Sequence, residues 1–113
     1  MRLFAAVGRP NVMIKVPATA AGVRALQRLI RAGINVNVTL MFSMKHYEVV
    51  AEAYLAGLSA FMEAGGNLGQ VASVASFFVS RVDTAVDRAL ERVGTPESLR
   101  LRGQAAIANC RRV

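Results

Sequence analysis

Three short apolar runs alternate with longer segments of helical periodicity, and this alternation is the strongest constraint on the fold. The runs cover residues 11–16, 34–41 and 70–79, and each has the length and composition of a buried strand. Strands separated by helix-length segments are typical of βα units, whose strands pair in parallel. The sequence therefore predicts an α/β protein with a parallel sheet.

Capping residues and apolar periodicity indicate where the helices lie. A first helix is predicted after Thr19, its candidate cap, with Gly33 placed to end it. A second is predicted from about Ser43 or Met44 to Ala64, where Gly65-Gly66 stops it. A third is predicted from residue 83 or 84 to 94. The segment Thr95-Pro96-Glu97 supplies a cap, a proline and an acid that open a last, trailing helix toward the C-terminus.

The second run, "NVNVTL", has two unlike faces, because successive side chains of a strand point to opposite sides of the sheet. Asparagine and threonine alternate with apolar residues. One face is therefore polar, with Asn35, Asn37 and Thr39, and the opposite face is apolar, with Val36, Val38 and Leu40. A doubly wound sheet has helices on both faces, and its strands are apolar throughout. A strand with one polar face is more typical of a TIM (β/α)8 barrel, whose catalytic residues stand at the carboxyl ends of its strands. The predicted fold class is a partial barrel of about three βα units.

Lys15 interrupts the first apolar run, "NVMIKVPAT", near the carboxyl end of the strand. An amine that apolar walls shield from water keeps a larger neutral fraction, and a neutral amine attacks carbonyl carbon to form a Schiff base. The iminium is an electron sink, so an adjacent carbon–carbon bond can break. Asn37, Thr39 and Ser76 are candidates to orient sugar hydroxyls, and Arg81 to hold a phosphate. The alternative is a lysine that caps the strand and extends to water.

Composition excludes several other classes of function. The net charge of +7 comes mainly from arginines spread along helices without interleaved aromatic residues, which favours a solvated basic surface over nucleic-acid binding. No apolar stretch suits a membrane span or a signal peptide. The single cysteine, Cys110, excludes an internal disulfide and agrees with a reducing compartment. His46 lacks a second ligand at metal-binding spacing. We expect a cytoplasmic protein without bound metal.

Three segments, in order and one helix apart, resemble transaldolase: "NVMIKVPAT", "INVNVTLMFS" and "SVASFFVSRVD". The resemblance is to the central part of the longer bacterial type, and it runs from about residue 3 to the C-terminus. It implies that the three strands are strands 4 to 6 of a barrel. Residues 1–113 are therefore expected to be a fragment of a single transaldolase barrel domain.

The resemblance also implies a reaction. It implies a Schiff-base enzyme of the pentose phosphate pathway that needs no cofactor and transfers a dihydroxyacetone unit between sugar phosphates. The expected substrates are sedoheptulose 7-phosphate and glyceraldehyde 3-phosphate, and the expected products are erythrose 4-phosphate and fructose 6-phosphate.

Six residues match functional positions of the family. Lys15 matches the Schiff-base lysine, Asn37 a residue that binds donor hydroxyls, and Thr39 one that holds the water used in proton transfer. The resemblance further implies a substrate-hydroxyl contact, a pocket wall and a phosphate ligand, which are matched by Ser76, Phe78 and Arg81 in turn.

One departure from the family pattern limits the expected activity. Transaldolases carry an aspartate on the first barrel strand and a glutamate on the third, and neither strand is expected within these residues. We therefore expect the 113-residue chain by itself to be inactive or nearly so. Two alternatives stay open: a related Schiff-base aldolase that uses no acceptor sugar, and a non-catalytic piece that forms homo-oligomers through its open strand edges.

Overall fold

The computed structural model describes residues 1–113 and confirms the α/β class with a parallel sheet. The strands are β1 (Ile14–Pro17), β2 (Val36–Met41) and β3 (Ser73–Phe77), and they lie side by side in that order. The helices are α1 (Arg2–Val7), α2 (Ala20–Arg31), α3 (Met44–Glu63), α4 (Ser80–Val93), α5 (Pro96–Arg100) and α6 (Ala105–Cys110). None of them combines the length and apolarity of a membrane-spanning helix.

Side-chain caps start the helices where the sequence predicted them. The hydroxyl of Thr19 accepts a hydrogen bond from the Gly22 N–H at 3.1 Å, and that of Ser43 accepts from the His46 N–H at 3.3 Å. Thr95 caps α5 in the same way through the Ser98 N–H at 3.1 Å. Each bond satisfies a backbone donor that the helix itself leaves unpaired, so these residues fix where the chain turns from strand to helix.

The hydrophobic core lies between one face of the sheet and the helices α2 and α3. Its fully buried side chains come from α2 and from β2: Leu26, Ile30, Val36, Val38 and Met41. The two helices approach closely at Gly57, where an added Cβ would lie 2.9 Å from both the Gln27 carbonyl oxygen and the Ile30 Cβ. The core therefore holds β1 and β2 against a tightly packed helix pair.

A bulge near the end of β2 corrects the predicted face of Leu40. Val38 is paired with Ala75 and Met41 with Phe77, so three steps along β2 match two along β3. Leu40 lies within the bulge, and its backbone is in the left-handed region with φ 62°. As a result Met41, and not Leu40, joins Val36 and Val38 in the core.

The strands are shorter than predicted at their amino ends. Residues 11–13 precede the first pairing, between Ile14 and Val36, so β1 begins three residues late. The third apolar run, predicted as strand over 70–79, is a strand only over Ser73–Phe77. Its first residue ends a 3₁₀ helix, Leu68–Gln70, where the side chain of Asn67 accepts from the Gly69 N–H at 3.0 Å, and its last two residues lie between β3 and α4.

The C-terminal helices also differ from the prediction. The helix α4 begins at Ser80, three residues before the predicted start. Asp83 lies in its first turn, where a carboxylate interacts favourably with the helix dipole. The single trailing helix is replaced by α5 and α6, since Gly103 between them takes a positive φ of 69° that a helix cannot continue through. No residue of α4 is buried, and α5 and α6 pack on α4 instead of on the sheet.

The close approach of α2 and α3 gives a test of the fold. We expect Gly57→Ala to lower the free energy of unfolding by about 1–3 kcal/mol, because the new methyl meets backbone that cannot move aside cheaply. Helix propensity alone would change stability in the opposite direction. Ser59→Ala, at an exposed position of the same helix, serves as the control and should stay within about 0.5 kcal/mol. Urea denaturation measures both, and an unchanged midpoint for Gly57→Ala would contradict this packing.

Candidate active site

Lys15 and Asn37 lie side by side on neighbouring strands. The parallel register pairs Lys15 with Asn37 and Pro17 with Thr39. Because paired residues of a sheet point to the same face, the amine of Lys15 and the amide of Asn37 project together from the face opposite α2 and α3. The two residues are 22 positions apart in the sequence, and only the pairing of β1 with β2 brings them together.

A hydrogen bond from the next strand fixes the amide of Asn37. The Ser76 hydroxyl donates to Asn37 Oδ1 at 2.8 Å. This bond occupies the carbonyl oxygen of the amide and leaves the Nδ2 group as a donor for a ligand hydroxyl. Lys15, Asn37 and Ser76 thus form a row across the three strands.

Thr39 is the one buried polar side chain without a partner. Its residue is 6% exposed, and its hydroxyl oxygen makes no hydrogen bond with the protein. A buried hydroxyl without a hydrogen bond lowers the free energy of unfolding by about 1–3 kcal/mol. Ser98, which is 7% exposed, donates instead to the carbonyl oxygens of Leu90 and Thr95. Unsatisfied polar groups of this kind are concentrated at functional sites.

Aromatic side chains support Arg81, which lies in the first turn of α4, shortly after β3. The Phe78 N–H donates to the Met41 carbonyl at 2.8 Å, and the Phe78 ring meets the ring of Phe42 edge-to-face with centroids 5.2 Å apart. The guanidinium carbon of Arg81 lies over the Phe78 ring at 5.1 Å. Sequence reasoning missed Phe42, which supports Phe78 from behind, although it stands in the quoted segment "INVNVTLMFS" directly after the bulge.

The environment of Lys15 differs from the expected one. The sequence predicted an amine among apolar walls, but Lys15 is exposed on β1, an edge strand with a neighbour on one side only. The largest cavity, about 730 Å³, is at the other end of the sheet, where it is lined by Arg9, Asn35 and Val71 among others. The row therefore runs from an exposed lysine to the half-buried Asn37 and Ser76, outside that cavity.

By fold and site, the molecule is a set of βα units with a lysine beside an amide and hydroxyls on one sheet face. Residues 1–113 match the family described as transaldolase/fructose-6-phosphate aldolase. The chain is 52% identical over 111 residues to a transaldolase of Mycolicibacterium paratuberculosis, an alignment covering 98% of this chain and 30% of that protein. It is 58% identical over 105 residues to transaldolase 1 of Streptomyces coelicolor, covering 93% and 28%. The chain belongs to the transaldolase/fructose-6-phosphate aldolase family, and it spans about 30% of the length of these relatives.

The unpartnered hydroxyl of Thr39 gives a test of the site. We expect Thr39→Val to raise the free energy of unfolding by about 1 kcal/mol, because the isosteric methyl removes a desolvated polar group. Ser98→Ala is the matched control, and it should lower stability by about 1 kcal/mol because its hydroxyl is satisfied. Thermal and urea unfolding measure both. Equal losses for the two variants would mean that Thr39 has a partner within the fold.

Proposed function

We propose that these residues carry the Schiff-base part of a transaldolase active site. The observation that carries the proposal is the row of Lys15, Asn37 and Ser76 across the sheet, in a chain that aligns along almost its whole length with transaldolases. We further propose that the three strands are strands 4 to 6 of a single (β/α)8 barrel domain. The polar inner face and the partly uncovered β3 support this assignment, since both need further strands beside them.

Lys15 is the proposed nucleophile. Its Nζ adds to the carbonyl carbon of a ketose phosphate, and loss of water from the adduct gives an iminium. The carbon–carbon bond that joins the dihydroxyacetone unit to the rest of the sugar then breaks. Its electron pair moves into the iminium, and an aldose phosphate leaves. The resulting enamine attacks the aldehyde carbon of an acceptor aldose phosphate, and water releases the new ketose from Lys15. No metal or organic cofactor is needed to balance these steps.

The neighbours of Lys15 have roles that follow from their hydrogen-bonding capacity. The Nδ2 group of Asn37 donates to a donor hydroxyl, and the Ser76 hydroxyl contacts the same part of the sugar. Thr39 holds the water through which protons pass, which gives its unpartnered hydroxyl a ligand in the working enzyme. Phe78 forms a wall of the pocket.

Arg81 is the proposed phosphate ligand. Its guanidinium carbon lies over the Phe78 ring, and the guanidinium makes no ion pair with an acid of the chain. Its N–H groups therefore stay available, in the planar fork that matches a phosphate. Sugar phosphates are the proposed substrates for this reason.

Proton transfer needs an acid that this face does not supply. The seven carboxylates of the chain all lie on helices. Two of them accept backbone hydrogen bonds from the C-terminal segment, Asp83 from Ala106 and Asp87 from Gly103. Two more pair with arginines, Glu91 with Arg102 and Glu97 with Arg100. We therefore propose that the proton relay comes from other strands of the barrel.

A Schiff-base aldolase is the second candidate, and the family match favours it equally because the family description covers both activities. The two differ in whether an acceptor aldose or a proton captures the enamine. Retention of the donor unit until an aldose phosphate is added indicates transaldolase, and release of free dihydroxyacetone indicates the aldolase.

The open edges of the sheet favour association with further strands. The strands β1 and β3 each have a neighbour on one side only, and Val74 of β3 is 45% exposed. Unpaired edges of this kind add strands readily. We propose that they pair with other barrel strands, or with a second copy when the chain is studied alone. Sedimentation at micromolar concentration distinguishes a monomer from such a dimer.

Borohydride trapping tests the proposed nucleophile. We expect incubation of the chain with fructose 6-phosphate and borohydride to label Lys15 in preference to Lys45, because only Lys15 has the amide and hydroxyl neighbours that hold the sugar. Lys45 is the ideal internal control, since the sequence has two lysines and both are exposed. Peptide mapping by mass spectrometry gives the ratio of the two adducts.

Lys15→Met should abolish the specific adduct, and Lys45→Met should leave it unchanged. Equal labelling of the two lysines would contradict the proposal. We also expect the chain alone to turn over fructose 6-phosphate with an acceptor aldose phosphate far more slowly than the full-length relatives, and turnover at their rate would contradict the assignment of the proton relay to other strands.

A further inference from the structure

We propose that the short helix α6 is a clamp that positions Arg81 for phosphate, with Asn109 as its key positioning residue. This inference rests on the proposed phosphate role of Arg81 and adds a device that determines where the guanidinium stands. It is carried by two hydrogen bonds from α6, by one contact between two aromatic rings and by one contact between Arg81 and an aromatic ring.

The helix α6 connects two parts of the chain that flank the site. At its start, the Ala106 N–H donates to Asp83 Oδ1 at 2.9 Å, and Asp83 follows Arg81 by two residues in the first turn of α4. Near its end, Asn109 Nδ2 donates to the Phe42 carbonyl oxygen at 2.9 Å. Ala106 is fully buried between these anchors. The helix thus ties the first turn of α4 to the chain just after β2.

The same two parts meet again through side chains. The Phe42 ring packs edge-to-face on Phe78, and Phe78 lies beneath the guanidinium of Arg81. The contacts therefore close a loop from Arg81 through Phe78, Phe42 and Asn109 to α6, and back through Asp83 to the helix that carries Arg81. A closed loop of contacts restricts the guanidinium more than any one of them does.

Restriction of this kind matters because Arg81 is exposed and makes no ion pair. A free arginine side chain loses rotamer entropy when it binds a ligand. Stacking and clamping lower that loss by ordering the side chain before the phosphate arrives. Asn109 acts here through Phe42 and does not touch the substrate.

The test compares two carbonyl substrates that differ in whether they carry phosphate. Trapping rates at Lys15 are measured with fructose 6-phosphate and with dihydroxyacetone, which has no phosphate for Arg81 to bind. Asn109→Asp keeps the shape of the side chain but removes its donor. We expect it to slow trapping of fructose 6-phosphate about fivefold, the effect of one hydrogen bond, and to leave dihydroxyacetone trapping unchanged.

Two further variants keep the test independent of folding defects. Phe42→Leu keeps an apolar side chain but removes the aromatic edge, and it should give the same phosphate-selective loss. Gln104→Ala is the matched control. The side chain of Gln104 donates only to the Arg100 carbonyl oxygen within the C-terminal segment, so this variant should change neither trapping rate.

Arg81→Met separates this inference from the proposed function. If Arg81→Met slows only the phosphorylated substrate and the Asn109 and Phe42 variants slow both substrates alike or neither, the clamp is overturned and the phosphate role of Arg81 stands. If Arg81→Met has no phosphate-selective effect, the proposed phosphate site and the clamp are both overturned. A phosphate-selective loss in all three variants supports the clamp.

Discussion

The pairing register of β1 with β2 is the constraint on which the site depends. It sets Lys15 beside Asn37, and the backbone bonds on either side, from Ile14 N to Asn35 O at 2.8 Å and from Ala18 N to Thr39 O at 2.7 Å, hold it. A slip of one residue would turn the polar side chains toward the helices and the valines away from them. Burial of Val36 and Val38 against α2 and α3 opposes that slip. The hydrophobic core therefore specifies which face of the sheet carries Lys15 and Asn37.

The bulge at Leu40 reconciles two demands on the end of β2. Thr39 stays on the polar face, while Met41, two residues further along the chain, joins the core. Regular alternation would send Met41 to the same face as Thr39, whereas the left-handed backbone of Leu40 turns Met41 into the core. Backbone strain of this kind costs about 1–3 kcal/mol and is concentrated at functional sites. The bulge also brings the Met41 carbonyl to the Phe78 N–H, and so anchors the aromatic support of Arg81.

Sequence patterns predicted the elements that depend on local chemistry. The alternation of strand and helix, and the caps at Thr19 and Thr95, are confirmed because each involves only neighbouring residues. Features set by distant contacts were missed or wrong. The bulge depends on the register of β2 with β3. The break between α5 and α6 occurs at Gly103, whose N–H donates to Asp87 on α4. The exposure of Lys15 depends on which strands lie beside β1. Phe42 had no visible role because its partners, Phe78 and Asn109, are 36 and 67 positions away.

We propose that strand register gathers one substrate site on the polar face of the sheet. A crystal structure of the chain after borohydride reduction onto fructose 6-phosphate would test this. We expect the sugar in covalent linkage to Lys15, its hydroxyls within hydrogen-bond distance of Asn37 and Ser76, and its phosphate on Arg81. A sugar attached to Lys15 but directed away from Asn37, with its phosphate far from Arg81, would contradict it.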